Sequence, residues 1–228
     1  MNLLDVTLMS RILRDPASVA ADCRDDRDAS RMAQNALLVI FVGAVLFGAA
    51  VGAWHGGFQP LFAGGKLPLV TLGTLIVCAP AFYAVTAIFH RPWSVRAVLS
   101  LMLVAGARFA LVLLAATPAL WLAINLGASY DLSKLAAALA YALAGLAALT
   151  LLIQGLGDGP GKRPTIALFI GIFLLVGAQT SWVLRPYLGT PGRHDIELFT
   201  REREGGLVYQ LWQSVAHVTD PKRPGDRP

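Results

Sequence analysis

The sequence predicts an all-α protein, a polytopic membrane helix bundle of about five transmembrane helices with amphipathic helices near both termini. Three observations carry this. The 228 residues are 56% hydrophobic and only 14% charged, with a mean hydropathy of +0.60. A soluble domain carries roughly a quarter charged residues, so most of this surface must face lipid. Apolar runs of bilayer-crossing length recur between short connections. The net charge of +5, mostly arginine, sits in the termini and those connections, a pattern of membrane orientation. No basic face interleaved with aromatics points to nucleic acid as a partner.

Leu3, Leu4, Leu8, Met9 and Ile12 recur at helical spacing, predicting a short interfacial helix with Arg11 and Arg14 among headgroups. Asp15-Pro16 restarts the chain as an N-cap with proline at the first helical position. From Ala21 to Arg31, Asp22, Asp25, Asp26 and Asp28 mix with Arg24, Arg27 and Arg31. This reads as a solvated juxtamembrane helix, with a docking surface as the lesser alternative. Residues 1–33 thus form a cytoplasmic segment. They are too long and too acidic for a signal-peptide n-region, so the first span is expected to remain as an anchor.

Residues 34–185 form the transmembrane domain. The first span runs from about Ala36 to Trp54, and its Gly43, Gly48 and Gly52 let another helix approach closely. A glycine-rich loop, His55 to Lys66, leads to a second span from Leu67 to Phe89, bent at Pro80. His90-Arg91-Pro92-Trp93 ends it at an interface. The third span, Val95 to Ile124, carries Arg96, Arg108 and Thr117-Pro118; it exceeds the hydrocarbon thickness, so it extends outside, tilts or breaks near Pro118. Arg108 is an intramembrane charge that must snorkel, meet water or find a polar partner. Both a structural role and a functional cavity remain open for it. After a connection from Asn125 to Lys134, the fourth span, Leu135 to Leu156, presents Ala136, Ala140, Ala144 and Ala148 as a face for packing against other helices. The loop Gly157 to Pro164 precedes a last span, Thr165 to Leu184.

Residues 186–218 are read as an extracytoplasmic turn and an amphipathic helix whose Leu207, Val208, Leu211, Trp212 and Val215 recur at helical spacing. Residues 219–228 read as a disordered tail. An odd number of spans puts the termini on opposite faces. The N-terminal arginines, Arg91 and Arg96, and Lys162 and Arg163 alternate with connections holding only Lys66 and Lys134, which predicts a cytoplasmic N-terminus and an exported C-terminus. Arg185, Arg193, Arg201 and Arg203 in the tail pull the other way.

Candidate chemistry is sparse. Gly155 to Lys162 has the wrong glycine spacing for a phosphate loop, and Arg163 stands where a magnesium-binding hydroxyl belongs. His55, His90, His194 and His217 are scattered, and Cys23 and Cys78 have no second cysteine at metal-ligand spacing, so no metal or other cofactor is expected. Ser100 and Ser181 have no histidine placed in sequence to activate them. The spans hold no carboxylates for a proton relay.

Lys66-Leu67-Pro68-Leu69 opens the second span and Pro80-Ala81-Phe82-Tyr83 follows, while Tyr130-Asp131-Leu132-Ser133-Lys134-Leu135 opens the fourth. The last span closes on Gly177, Gln179, Ser181, Trp182, Leu184, Arg185, Pro186, Tyr187, Gly189 and Pro191. This order of motifs resembles a bacterial family of five-span integral membrane proteins, distantly Yip-like in architecture, whose closing signature reads Gly-x-Gln-x-Ser/Thr-Trp-x-Leu-Arg-Pro-Phe-x-Gly-x-Pro. Tyr187 replaces the phenylalanine, and the stretch Phe199 to Gly206 departs from the Phe-Arg-x-x-Glu-Gly-Asn that normally follows. The resemblance covers about Lys66 to Val215; it implies a bacterial inner-membrane protein and carries no catalytic residues with it.

Physically, the closing stretch reads as a rigid helix exit. Trp182 anchors at the interface, Arg185 bonds phosphate or carbonyls, and Pro186, Gly189 and Pro191 fix the turn. The expectation is a non-enzymatic membrane subunit or scaffold that docks a partner protein or lipid through Gln179, Trp182, Arg185, Pro186, Tyr187, Gly189 and Pro191. Its partners would be membrane lipid and other membrane subunits or further copies of itself. The alternative is a transporter or channel for a small solute, ion or lipid, with Arg108, Gln179 and the Pro80 and Pro118 bends lining a polar cavity.

Overall fold

The computed structural model describes residues 5–25, 28–89, 93–157 and 161–183, with backbone alone for 177–183. These form seven helices and no strand: α1 (Val6–Arg14), α2 (Pro16–Arg24), α3 (Ala29–Gly52), α4 (Gln59–Ile88), α5 (Val95–Asn125), α6 (Tyr130–Gly155) and α7 (Lys162–Val183). Of these, α3, α4, α5 and α6 are each long and apolar enough to cross a membrane. Large apolar side chains point outward from them, Ile76 at 71% exposure and Leu146 at 60%, which water would disfavour and lipid does not.

The short N-terminal helices start where polar side chains can satisfy unpaired amides. Asp5 accepts from the amides of Thr7 and Leu8 and from the Thr7 hydroxyl. The hydroxyl, then the Leu8 amide, hold the Asp5 carboxyl below its usual range. Asp15 caps α2 by accepting from Ser18 N at 3.3 Å, with Pro16 at the helix start, as its sequence predicts. The apolar stripe of α1 is not free to lie on a bilayer, because Leu8 and Ile12 are buried in the same core as Val19, Ala20 and Cys23 of α2 and Leu101 and Val104 of α5. Arg11, assigned above to headgroups, instead pairs with Asp22 at 2.6 Å. The solvated helix read across Ala21 to Arg31 is also corrected. α2 ends at Arg24, and α3 begins at Ala29 after Asp28 turns the chain at φ 51°.

The centre of the fold is the contact of α3 with α4 and α5, and glycine makes it close. A Cβ on Gly48 would stand 2.5 Å from the Ala63 carbonyl oxygen and 2.9 Å from Gly64 Cα. One on Gly52 would lie 2.7 Å from the Gln59 oxygen, and one on Gly43 2.7 Å from the Ala110 oxygen. The glycine spacing read from sequence is therefore used on two partners. It also explains a correction: the loop assigned to His55 to Lys66 is helical from Gln59 onward. Gly64 and Gly65 disfavour a helix in water, but here Gly64 packs against the Val45 to Ala49 backbone of α3, and tertiary contact overrides propensity.

Of the three alternatives for the long span, a break at Pro118 is not the one seen: α5 runs unbroken through it, and the Thr117 hydroxyl donates to the Leu113 carbonyl at 2.9 Å. α6 begins at Tyr130 rather than near Leu135, capped by Ser129, which accepts from Leu132 N at 3.3 Å. Its Ala140, Ala144 and Ala148 are buried, α6 packs on α5 and α2, and Tyr141 sits edge-on to both Phe47 and Phe109. Trp54 Nε1 donates to the Ala128 carbonyl at 3.3 Å, tying the end of α3 to the α5–α6 connection. α7 packs on α4, with Phe82 stacked on Phe169 at 4.2 Å between ring centroids.

If backbone approach at Gly48 sets the α3–α4 contact, Gly48→Ala lowers stability by about 1–3 kcal/mol, because neither neighbour is a side chain that can swing away. Gly65→Ala, with nothing within 4 Å of its Cβ position, leaves stability unchanged or raises it. Thermal unfolding of the detergent-purified variants, compared side by side, checks both.

Candidate functional site

The predicted site residues fall into two groups. Gln179 and Trp182 belong to the α7 backbone, and their side chains, with Arg185, Pro186, Tyr187, Gly189 and Pro191, lie outside the described residues. Arg108 is fully described. It occupies the fourth turn of α5, and its Nε and Nη1 atoms are buried without a hydrogen-bond partner.

The depth of Arg108 follows from helix packing. A Cβ on Gly106 would stand 2.7 Å from Leu75 Cδ1 and 3.0 Å from Ile40 Cδ1. Leu75 lies near the midpoint of α4 and Ile40 near that of α3. Arg108 therefore sits at the mid-height of three helices.

The Ser133 hydroxyl of α6 is likewise buried without a partner, whereas several threonines of the long helices are satisfied locally. Thr71 donates to the Leu67 carbonyl at 3.0 Å, Thr86 to Tyr83 at 2.7 Å and Thr150 to Ala147 at 2.8 Å. Each hydroxyl is satisfied by its own helix and offers little to a passing solute. A cleft of about 320 Å³ opens where Ala79, Pro80 and Tyr83 of α4 face Val95, Val98 and Leu99 of α5. Pro80 thus lines a cleft, as the alternative reading expects, but the lining is apolar and Arg108 and Pro118 are not part of it.

The end of the bundle carrying α1 and α2 also gathers Arg31, Arg96, Lys162 and Arg163, at the starts of α3, α5 and α7. The Arg24 guanidinium lies where a Cβ on Gly157 would stand, beside the C-terminus of α6, where a cation is favoured by the helix dipole. Cys23, fully buried between these elements, has its thiol pushed up to about 12 by desolvation, with a smaller contribution from the Asp22 charge. Sequence reasoning missed this burial, although Val19, Ala20 and Cys23 already share one helical face. Among the described residues, no group of three or more His, Cys, Asp or Glu side chains is placed to hold a metal ion.

The fold and these positions define the class, a polytopic helical membrane protein. No protein-family model, curated protein or solved structure matches the chain.

Because the folded state keeps the Cys23 thiol protonated, its contribution to stability is complete below the ordinary thiol value of about 9 and is lost as pH rises toward about 12. In a Cys78→Ala background, Cys23 should resist N-ethylmaleimide at pH 8 in the folded protein and react at once after denaturation. Rapid native labelling would contradict its burial.

Proposed function

We propose that the chain is a non-enzymatic, five-span membrane subunit, in which α7 (Lys162–Val183) is the fifth crossing and the segment after it docks a partner. The observation that carries this reading is the tight, glycine-closed contact of α3 with α4 and α5, which makes a rigid support rather than a passage. Self-satisfied threonines along the spans and an apolar cleft support it further. The transporter or channel reading finds less support, since Arg108 and Pro118 are absent from that cleft. In orientation, the basic residues beside α1 and α2 favour a cytoplasmic N-terminus and an exported turn at the other end of α7. A bacterial inner membrane fits this arrangement and the resemblance of the closing signature.

In this reading Gln179, Trp182, Arg185, Pro186, Tyr187, Gly189 and Pro191 form the docking element, with Trp182 and Arg185 as its anchors. Purification in mild detergent should yield a stoichiometric co-eluting membrane protein, and Trp182→Ala combined with Arg185→Ala should reduce its recovery at least about tenfold. A chain that always elutes alone would contradict the proposal.

A further inference from the structure

We infer that the cleft between α4 and α5 seats one acyl chain of a phospholipid whose phosphate pairs with Arg96. This goes beyond the subunit reading above and does not rest on it.

The cleft has the chemistry and the size of a site for hydrocarbon. Its volume is about 320 Å³, and apart from the Tyr83 ring it is lined by aliphatic side chains, Ala79 and Pro80 of α4 and Val95, Val98 and Leu99 of α5. Tyr83, Val95 and Leu99 are exposed, while Val98 between them is buried. Both helices are long and apolar enough to cross a membrane, so this opening lies toward lipid. Size then decides what enters. One turn of a helix, about 10 Å across and 5.4 Å tall, fills roughly 400 Å³, more than the cleft holds, whereas a string of methylenes fits and gains no polar contact it would need to lose.

Position along the helices supplies the second half of the ligand. Val95 is the first residue of α5, and Tyr83 stands within two turns of the end of α4. The cleft therefore lies at the headgroup end of the spans, where a tyrosine ring with its hydroxyl is at home. Arg96 occupies the first turn of α5 and is exposed. It precedes Leu99 by three residues, so the two share one side of the helix. A guanidinium at that point meets a phosphate with paired hydrogen bonds, and the chain below the phosphate runs past Leu99 and Val98 into the cleft. Arg96 also belongs to the end of the bundle that gathers Arg31, Lys162 and Arg163, which favours an anionic headgroup.

Native mass spectrometry of the delipidated full chain in mild detergent, titrated with phosphatidylglycerol, tests this. One molecule should bind ahead of the weaker, unsaturable background of boundary lipid. Arg96→Gln should weaken that first binding at least about tenfold, the loss of a charge-assisted phosphate contact. Leu99→Trp, which fills the cleft from an exposed position, should weaken it as much, while Arg14→Gln on α1 leaves it unchanged. Diacylglycerol, with the chains but no phosphate, should bind weakly and ignore Arg96→Gln. Thermal unfolding shows whether each variant is folded, and Val95→Phe replaces Leu99→Trp should that variant fail. First binding that ignores both substitutions is boundary lipid only and overturns the inference, as does sensitivity to just one of the two. A photo-crosslinking residue at Leu99 in the native membrane should capture lipid; capture of another protein, or of residues 90–92 of the same chain, would also overturn it. Recovery of a partner through the Trp182 and Arg185 element is a separate readout, so the subunit reading stands or falls independently.

Discussion

Removing water from around helices removes the usual reason for them to associate. Lipid tails are as apolar as leucine, so packing in a membrane depends on how closely backbones can approach and on the polar groups that must be satisfied. In this protein the first requirement is met at Gly43, Gly48 and Gly52, where any Cβ would run into a neighbouring carbonyl. The positions of α4 and α5 on α3 follow from those contacts. α6 then joins α5 through its alanine face, and α7 joins α4 through Phe82 and Phe169.

The second requirement sorts the polar residues. Threonines turn back onto their own helices, Trp54 closes a connection, and Asp5, Asp15, Ser94 and Ser129 cap helix starts. Each of these has a local purpose that ends with itself. Among the described residues Arg108 and Ser133 do not fit this pattern, since the Arg108 Nε and Nη1 atoms and the Ser133 hydroxyl are buried without a partner.

How much was legible in the sequence depends on what each residue's environment decides. Span count across α3 to α6, the glycine and alanine faces and the Asp15-Pro16 cap follow from local pattern, because period and capping chemistry act over one or two turns. The start of α4 was misread because Gly64 packs against α3, a contact that no local window contains. The start of α6 had its signal, a serine followed by Tyr130-Asp131, but the polar run down to Lys134 resembled a connection. The role of α1 and α2 was hidden for a similar reason, since an apolar stripe does not reveal whether it meets lipid or protein. Arg108 stood out as an isolated charge in an apolar run; its mid-height among α3, α4 and α5 needed the three-helix contact to be seen.

The most direct measurement is the sidedness of single cysteines introduced at exposed positions of a cysteine-free chain in sealed vesicles, read with a membrane-impermeant maleimide. The alternating directions of α3 to α6 predict that Phe58→Cys and Leu126→Cys label from one face, and that Ala17→Cys labels from the other. All three labelling from a single face would contradict the account.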